Sequence, residues 1–381
     1  MATHRTEEGG PRTERLSREP RPSPARRGGA WQGSAEARRG AALRALALGL
    51  AVALGLAPGA DAQNVSRAGT NAAAFLEIGV GPRASALGGA FTAAVDDATA
   101  LYWNPAGLSQ MRTAEVTSAH SEWLADVNHD FVGVAVPFGN GTIGASVTRL
   151  GVPEDVVRTE LNQEGTGETF DAADLAIGVS YGRAVTDRFS IGATAKYVEQ
   201  RIWHSTATAF AVDIGTQFKT DFFGGLTIGA AVTNFGSDLQ LDGRDLRTFV
   251  DPDLSQDGNN GQIPADYALD RWSMPLDFKM GVVAQPVQSR MNQLTVSVDA
   301  LHPSSNYESL NLGAEYGFRE RVYLRGGFQG LFLPEREGGL ALGLGVHQPL
   351  PYEDGLAKLD YAFRDAGRLG PVHTVGLSVT F

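Results

Sequence analysis

The strongest candidate for metal chemistry is an acidic loop at residues 251–258, which reads DPDLSQDG. Its side-chain oxygens at Asp253, Ser255 and Asp257 alternate as the ligands of a calcium loop do, and a glycine follows at the bend. The twelfth position counted from Asp253 is Pro264, where a calcium loop places a bidentate glutamate. The pattern leaves two interpretations open, a weak calcium site and surface turns built on aspartate side chains.

Other residue types that carry catalysis occur without catalytic spacing. The chain has no cysteine, which excludes disulfides, thiolate metal sites and cysteine nucleophiles. Its seven histidines are scattered, and the sequence contains neither an HExxH metal motif nor a GxSxG serine motif. A GxGxxA pattern at residues 79–84 lacks the βαβ unit that dinucleotide binding requires. We therefore expect a protein that is not an enzyme and that carries no cofactor.

From residue 114 onward, segments of about ten residues alternate apolar side chains with small or polar ones. Leu340, Leu342 and Leu344, for example, alternate with Ala341 and Gly343. Strands that cross a bilayer need about 9–11 residues, and most of these segments are long enough. The fourteen predicted strands are 114–122, 128–138, 141–151, 171–183, 188–201, 206–219, 225–236, 275–286, 291–302, 308–318, 321–332, 338–349, 355–364 and 371–381.

The connectors between these segments alternate between short and long. The two longest, at 152–170 and 237–274, fall on the same side of the predicted sheet. Outer-membrane barrels have short periplasmic turns and longer extracellular loops, and an even number of strands keeps that alternation in phase. The pattern predicts an all-β fold, a 14-stranded antiparallel transmembrane β-barrel.

The polar positions of the predicted strands include charged residues that would face the lumen. Two interpretations stay open for them: ion pairing with a segment inside the barrel, or a track for a substrate. The residues are Asp174, Lys196, Asp213, Lys279, Asp299, Glu315, Arg325, Lys358 and Asp360.

One long stretch, residues 79–108, does not alternate like a strand and consists mostly of Ala, Gly, Ser and Thr. Its alanine content predicts a short helix over residues 86–95 despite two glycines. A second helical turn should run from Asp96 or Asp97 to Trp103. Asn104 followed by Pro105 is typical of an N-cap and the first helical position. Small residues let such a stretch fit inside a confined space.

The stretch resembles the N-terminal signature of the PorV/PorQ family of outer-membrane proteins, which is related to the FadL-type hydrocarbon transporters. The resemblance implies a hatch at residues 63–113 inside a 14-stranded barrel at residues 114–381. The matching hatch positions are Gly88, Gly89, Asp96, Asp97, Asn104, Pro105, Ala106 and Gly107.

The first 62 residues are predicted to be a leader that is removed. A disordered, arginine-rich start precedes an apolar run at 45–57, and Ala60-Asp61-Ala62 resembles a signal-peptidase site, so cleavage is expected before Gln63. The remaining chain carries 22 Lys and Arg against 37 Asp and Glu, which argues against nucleic acid as a partner.

The last strand and several aromatic residues fit insertion into an outer membrane of a Gram-negative-type bacterium. Val375, Leu377, Val379 and the terminal Phe381 alternate along a strand that resembles the assembly signal read by the barrel-insertion machinery. Aromatic residues at predicted outer strand ends fit a girdle in contact with outer-membrane lipid: Trp123, Trp203, Trp272 and Tyr307.

Two functions follow from the resemblance. The PorV/PorQ family implies a non-enzymatic component of type IX protein secretion. Such a component binds exported proteins through their C-terminal signal domains and carries them from the secretion translocon to the attachment machinery. The alternative is a FadL-like passive transporter of hydrophobic small molecules.

Overall fold

The computed structural model describes residues 69–222, 225–252, 255, 262–334, 336–351 and 355–381. Within this part of the chain, fourteen strands close into one antiparallel barrel, and three short strands, β8 to β10, lie in a connector. The strands are β1 Glu115–Glu122, β2 Asn128–Phe138, β3 Gly141–Val156, β4 Thr169–Ala184, β5 Phe189–Ile202, β6 Ser205–Thr220, β7 Leu226–Gly236, β8 Asp242–Gly243, β9 Arg247–Val250, β10 Ile263–Asp266, β11 Asp277–Gln288, β12 Asn292–Pro303, β13 Ser309–Phe318, β14 Val322–Leu331, β15 Leu340–Pro349, β16 Leu356–Asp365 and β17 Pro371–Thr380.

The first and last strands close the barrel. β17 pairs with β1 from Thr380 opposite Glu115 to His373 opposite Glu122, and each further strand pairs with its neighbour along the chain. At the long connector, β7 pairs directly with β11. Closure leaves no free sheet edge, which a membrane requires because lipid cannot satisfy unpaired backbone groups.

Side chains alternate between the two faces of each strand. In β1 every second residue is buried and the others are exposed, and exposed apolar residues occupy the outward positions of the other strands. Val132, Leu344 and Leu377 are examples. An apolar outer face combined with a polar inner face is the pattern of a membrane-spanning barrel.

The two longest connectors lie at one end, as the sequence predicted, although the connector between β5 and β6 at that end is only residues 203–204. We call this end the outer end because extracellular loops of such barrels are longer than periplasmic turns. β3 and β4 extend past the membrane-length segments that the pattern predicted, so their loop shortens to 157–168. The connector 237–276 is not a plain loop: β8 pairs with the start of β6, and β9 with β10 form a separate hairpin.

Residues 72–111, called the inner segment below, pack against the inward-facing residues of the barrel. The segment contains a 3-10 helix at Ala74–Glu77, helix α1 at Pro82–Ala86, helix α2 at Ala100–Trp103 and a second 3-10 helix at Pro105–Gln110. The predicted helix over 86–95 is wrong: α1 ends at Ala86, and Gly88 and Gly89 adopt positive φ angles of 64° and 76°. Left-handed backbone at two successive residues cannot continue a helix.

Glycines of the barrel wall allow the inner segment to approach closely. A side-chain carbon at Gly192 or Gly327 would overlap the backbone of Pro105 or Leu87, respectively. Strand glycines commonly mark such close contacts with another backbone. Phe91 and Leu101 of the inner segment are fully buried in the cluster that also contains Phe131 of β2.

Within the described residues, no helix has both the length and the apolar character needed to span a bilayer. The predicted signal peptide and its cleavage point before Gln63 lie outside the described residues.

Substituting Leu344 with arginine should destabilise the barrel by about 2–4 kcal/mol, because this side chain faces outward from the middle of β15 and an arginine there would meet hydrocarbon. Urea unfolding in lipid vesicles measures the change. The control is Leu161→Arg, at a position 94% exposed between β3 and β4, where about 0.5 kcal/mol or less is expected. Equal losses at the two positions would contradict the assigned outward face.

Candidate functional site

The inner segment runs along the barrel from the outer end to the periplasmic end. At its start, the Ala72 amide donates to the Ser273 carbonyl at 2.9 Å, in the long outer connector. At its end, Met111 leads to β1, which begins at Glu115 on the periplasmic side. The segment therefore passes through the barrel interior between its two ends.

Asn104 connects three parts of the structure. Its Oδ1 accepts a 3.1 Å hydrogen bond from the Ala106 amide, which makes it the N-cap that the sequence predicted. Its Nδ2 donates to the carbonyls of Thr92 at 2.8 Å and Thr216 at 3.1 Å. One fully buried amide thus joins the second 3-10 helix, the turn at residues 92–94 of the inner segment and strand β6.

Arg83 forms the main electrostatic link between the inner segment and the wall. Its guanidinium binds Glu315 of β13 through two 3.0 Å hydrogen bonds, and its Nη1 contacts Asp96 at 2.5 Å and Asp97 at 3.2 Å. Glu315 also accepts from Arg325 of β14 at 2.6 Å. Bidentate arginine–carboxylate pairs are among the strongest hydrogen bonds in proteins, and here they satisfy charges at membrane depth.

This cluster sets the ionisation of its members. Burial alone disfavours the charged form of Arg83, but Asp96, Glu315 and Asp97 together raise its pKa well above the usual value. Burial likewise opposes ionisation of Asp97, but the charges of Arg83 and Lys358 and hydrogen bonds from Thr99 outweigh it, so the pKa of Asp97 is lowered. The two groups therefore stay charged at neutral pH.

The inward positions predicted from the strand pattern do face the interior, and several form ion pairs. Lys196 pairs with Asp213 at 2.8 Å, and Arg325 contacts Asp360 at 2.5 Å. Asp299 accepts from the amides of Phe91 at 2.9 Å and Thr92 at 2.7 Å. Asp299 and Glu315 bind the inner segment, as the first of the two interpretations expects, whereas the Lys196 and Arg325 pairs join strands of the wall to one another. Sequence reasoning missed two partners: Glu115, which binds Lys358 at 2.9 Å, and Asp277, which binds Lys279 at 3.3 Å.

At the outer end, two adjoining cavities of about 200 Å³ and 520 Å³ lie between the inner segment and the connectors. The floor of the smaller one includes Tyr102 and Trp103, fixed by hydrogen bonds to the carbonyls of Leu76 and Val80. The Lys279 ammonium lies over both rings, 5.7 Å and 5.4 Å from their centroids. Residues that line both cavities are Glu77, Asn306, Gln329, Leu333 and Arg364.

Arg364 of β16 stacks on Trp123, with its guanidinium carbon 4.5 Å from the ring centroid. Its Nη1 donates to the Gln329 side chain at 3.1 Å. The expected place of Trp123 in a lipid-facing girdle is therefore wrong, because its ring lines the outer cavity with Arg364. The inward position of Arg364 could have been predicted from the sequence, because it is an even number of residues from the predicted inward residues Lys358 and Asp360.

A third cavity of about 250 Å³ lies beneath the long outer connector and is mostly apolar. Ala207 of β6 forms part of its wall, and Leu239 and Trp272 of the connector cover it and bridge to each other through backbone hydrogen bonds. Sequence reasoning missed this cavity because the contacts that form it join residues far apart in the chain.

No group of three or more His, Cys, Asp or Glu side chains suited to a metal ion occurs among the described residues. Asp253 and Asp257 of the predicted calcium loop lie outside them, so that prediction stays open. His120 and His204 pair separately with Asp130 and Asp245.

Replacing Asn104 with alanine should loosen the inner segment while the barrel remains folded. The change removes a cap worth about 1 kcal/mol and leaves the Thr92 and Thr216 carbonyls without their donor, at about 1–3 kcal/mol each. Amide exchange measured by mass spectrometry should become faster across residues 92–108. Asn140→Ala, in an exposed turn between β2 and β3, is the control and should leave that exchange unchanged. Unchanged exchange in Asn104→Ala would show that this amide does not hold the segment.

The lowered pKa of Asp97 predicts a specific dependence on acid. Because its pKa is lower in the folded state than in the unfolded state, its stabilisation is present above the unfolded value of about 4 and is lost as pH falls through the folded value. Amide exchange of residues 82–103 should therefore accelerate below about pH 4. Asp97→Asn should be less protected at neutral pH and change less on acidification. Asp96→Asn is the control because that side chain is half exposed; an identical acid response in all three proteins would contradict the assignment.

Comparisons with known proteins fit this architecture. The family model described as type IX secretion system protein PorV matches residues 60–288, well over half of the chain. The toluene transporter TodX of Pseudomonas putida is 12% identical, with a TM-score of 0.51 over 79% of this chain and 97% of that chain. The toluene transporter TbuX of Ralstonia pickettii is 14% identical, with a TM-score of 0.48 over 79% and 97% of the two chains.

A FadL homologue of Pseudomonas aeruginosa is also similar, at 14% identity and a TM-score of 0.46 over 79% of this chain and 96% of that chain. At such identities, the likeness to TodX shows a shared barrel fold. A comparison with curated proteins found no match. The extent of the family match decides the assignment: this chain belongs to the family of the type IX secretion system protein PorV.

Proposed function

We propose that this protein is an outer-membrane component of a type IX secretion system that binds exported proteins at its outer end. The observation that carries the proposal is the family match over residues 60–288. The barrel interior supports it, because Arg83, Asn104 and Asp299 fix the inner segment to the wall. A barrel filled in this way is better suited to surface binding than to conducting a polypeptide.

The proposed contact surface is the long outer connector. Phe249 of β9 and Tyr267, which directly follows β10, are 69% and 64% exposed, respectively. Exposed aromatic residues are enriched in protein interfaces, where their rings supply most of the contact energy. The proposed partners are the C-terminal signal domains of exported proteins and the secretion translocon that delivers them.

Two further roles belong to this proposal. The inner segment, with Gly88, Gly89, Asp97 and Asn104 at its fixed points, would act as a hatch that keeps the barrel closed while a partner is bound outside. The outward-facing Val375, Leu377, Val379 and Phe381 of the closing strand would be read by the barrel-insertion machinery, after removal of a signal peptide.

A second candidate function is passive transport of hydrophobic small molecules, as the resemblance to FadL-type proteins implies. The observation that favours it is the mostly apolar cavity of about 250 Å³ beneath the long connector. A transporter would raise the rate at which toluene enters liposomes that contain the purified protein. A binding component would leave that rate unchanged.

The double variant Phe249→Ser with Tyr267→Ser tests the secretion role. Binding of a purified C-terminal signal domain to the detergent-solubilised protein should weaken by about tenfold or more, as is usual for interface aromatics. Leu161→Ser, at another exposed position on the outer end, is the matched control and should bind as the unmodified protein does. Failure of the unmodified protein to bind any such domain would overturn the proposed function.

A further inference from the structure

Arg364 differs from the other arginines that point into the barrel. Arg83 contacts three carboxylates and Arg325 contacts two, all at 3.2 Å or less. Arg364 has a hydrogen bond to the neutral Gln329 side chain and a stacking contact with Trp123, but no carboxylate partner among the residues that the structure describes. A half-buried guanidinium without a counter-charge in the outer cavity is suited to binding an anion that is not part of this chain.

The acidic residues of the same cavities already have partners. Asp277 pairs with Lys279 at 3.3 Å, and Glu77 accepts from the Ser305 hydroxyl at 2.9 Å. Glu337 pairs with Arg368 on the rim, and Asp365 accepts from the Gly367 amide at 2.9 Å. Among the described cavity-lining residues, two arginines have no carboxylate partner: Arg336, which is exposed and stacks on Phe328, and the half-buried Arg364. Arg364 is therefore the unmatched positive charge that lies inside the cavity wall.

The rest of the lining indicates what kind of molecule carries the anion. Asn306 and Gln329 present side-chain amides; the Gln329 oxygen already accepts from Arg364, and its amide nitrogen can donate to a carbonyl. Leu333 and the face of Trp103 provide apolar surface beside them. Alternating amide and apolar contacts suit a peptide backbone with its side chains better than they suit a plain hydrocarbon chain.

We propose that the outer cavity binds the carboxyl-terminal end of an extended polypeptide, with Arg364 holding the terminal carboxylate. Trp123 keeps the guanidinium in position, and Gln329 occupies one of its N–H groups, which leaves others for a ligand in the cavity that Arg364 lines. A bidentate contact between guanidinium and carboxylate would fix the direction in which the peptide enters. This inference rests on the proposed function, for which it names one recognition element.

The test uses the full-length, detergent-solubilised protein and a synthetic peptide, Ala-Ala-Ala-Phe, with either a free carboxylate or a terminal amide. Calorimetry should show that the unmodified protein binds the free acid about tenfold or more tightly than the amide, since charged hydrogen bonds are about twice as strong as neutral ones. Arg364→Gln should lose this preference, and Arg364→Lys should regain part of it. Arg158→Gln, on an exposed outer connector, should keep it in full. Equal binding of acid and amide by the unmodified protein overturns the proposal even if a variant fails to fold.

Octanoate separates a peptide terminus from a fatty acid, which shares the carboxylate. If octanoate binds more tightly than the peptide acid and depends on Arg364, the assignment to a polypeptide is wrong. A further experiment separates this inference from the proposed function. A C-terminal signal domain that binds the unmodified protein and Arg364→Gln equally would overturn the carboxylate contact while the secretion role stands. A domain that binds neither would overturn the secretion role whatever the peptide does.

Discussion

The interior of this barrel depends on the salt bridges that the Arg83 guanidinium forms with both the inner segment and the barrel wall. It forms salt bridges with Asp96 and Asp97 of the inner segment and with Glu315 of the wall at the same time. Without it, the largely buried carboxylates of Asp97 and Glu315 would lose the cation they share, in an interior where water is scarce and repulsion between like charges is strong. Through Glu315 the same network extends to Arg325 and then to Asp360, so the inner segment and strands β13, β14 and β16 share one set of charges.

Much of this fold is predictable from the sequence because barrel strands obey a local rule. Alternation with a period of two depends on neighbouring residues only, so the number of strands, most of their ends and the inward positions follow directly. The cap at Asn104 is local in the same sense, since its hydrogen bond reaches two residues along the chain. Lys196 and Asp360 could thus be placed inside the barrel before their partners were known.

What the sequence does not predict depends on contacts between distant residues. A helix over 86–95 has adequate local propensity, but the backbone turns at Gly88 and Gly89 to pass close to Phe328 of the wall. Tryptophan is a residue type common at membrane interfaces, but Trp123 lines the cavity because it stacks on Arg364, which is far away in the chain. The hairpin of β9 and β10 lies in a region without clear alternation, and no local pattern indicates that its two strands pair.

The path of the inner segment restricts what can be attached to its start. Ala72 bonds to Ser273 at the outer end, whereas β1 begins at the periplasmic end, so the polypeptide passes lengthwise through a ring that β1 and β17 complete. The barrel must therefore close around the inner segment. A bulky folded domain joined ahead of residue 69 would not fit through the filled interior after closure. Any fusion partner placed there has to reach the outer side before β17 pairs with β1. Such a fusion would disturb the order of assembly and would leave the stability of the finished barrel unchanged.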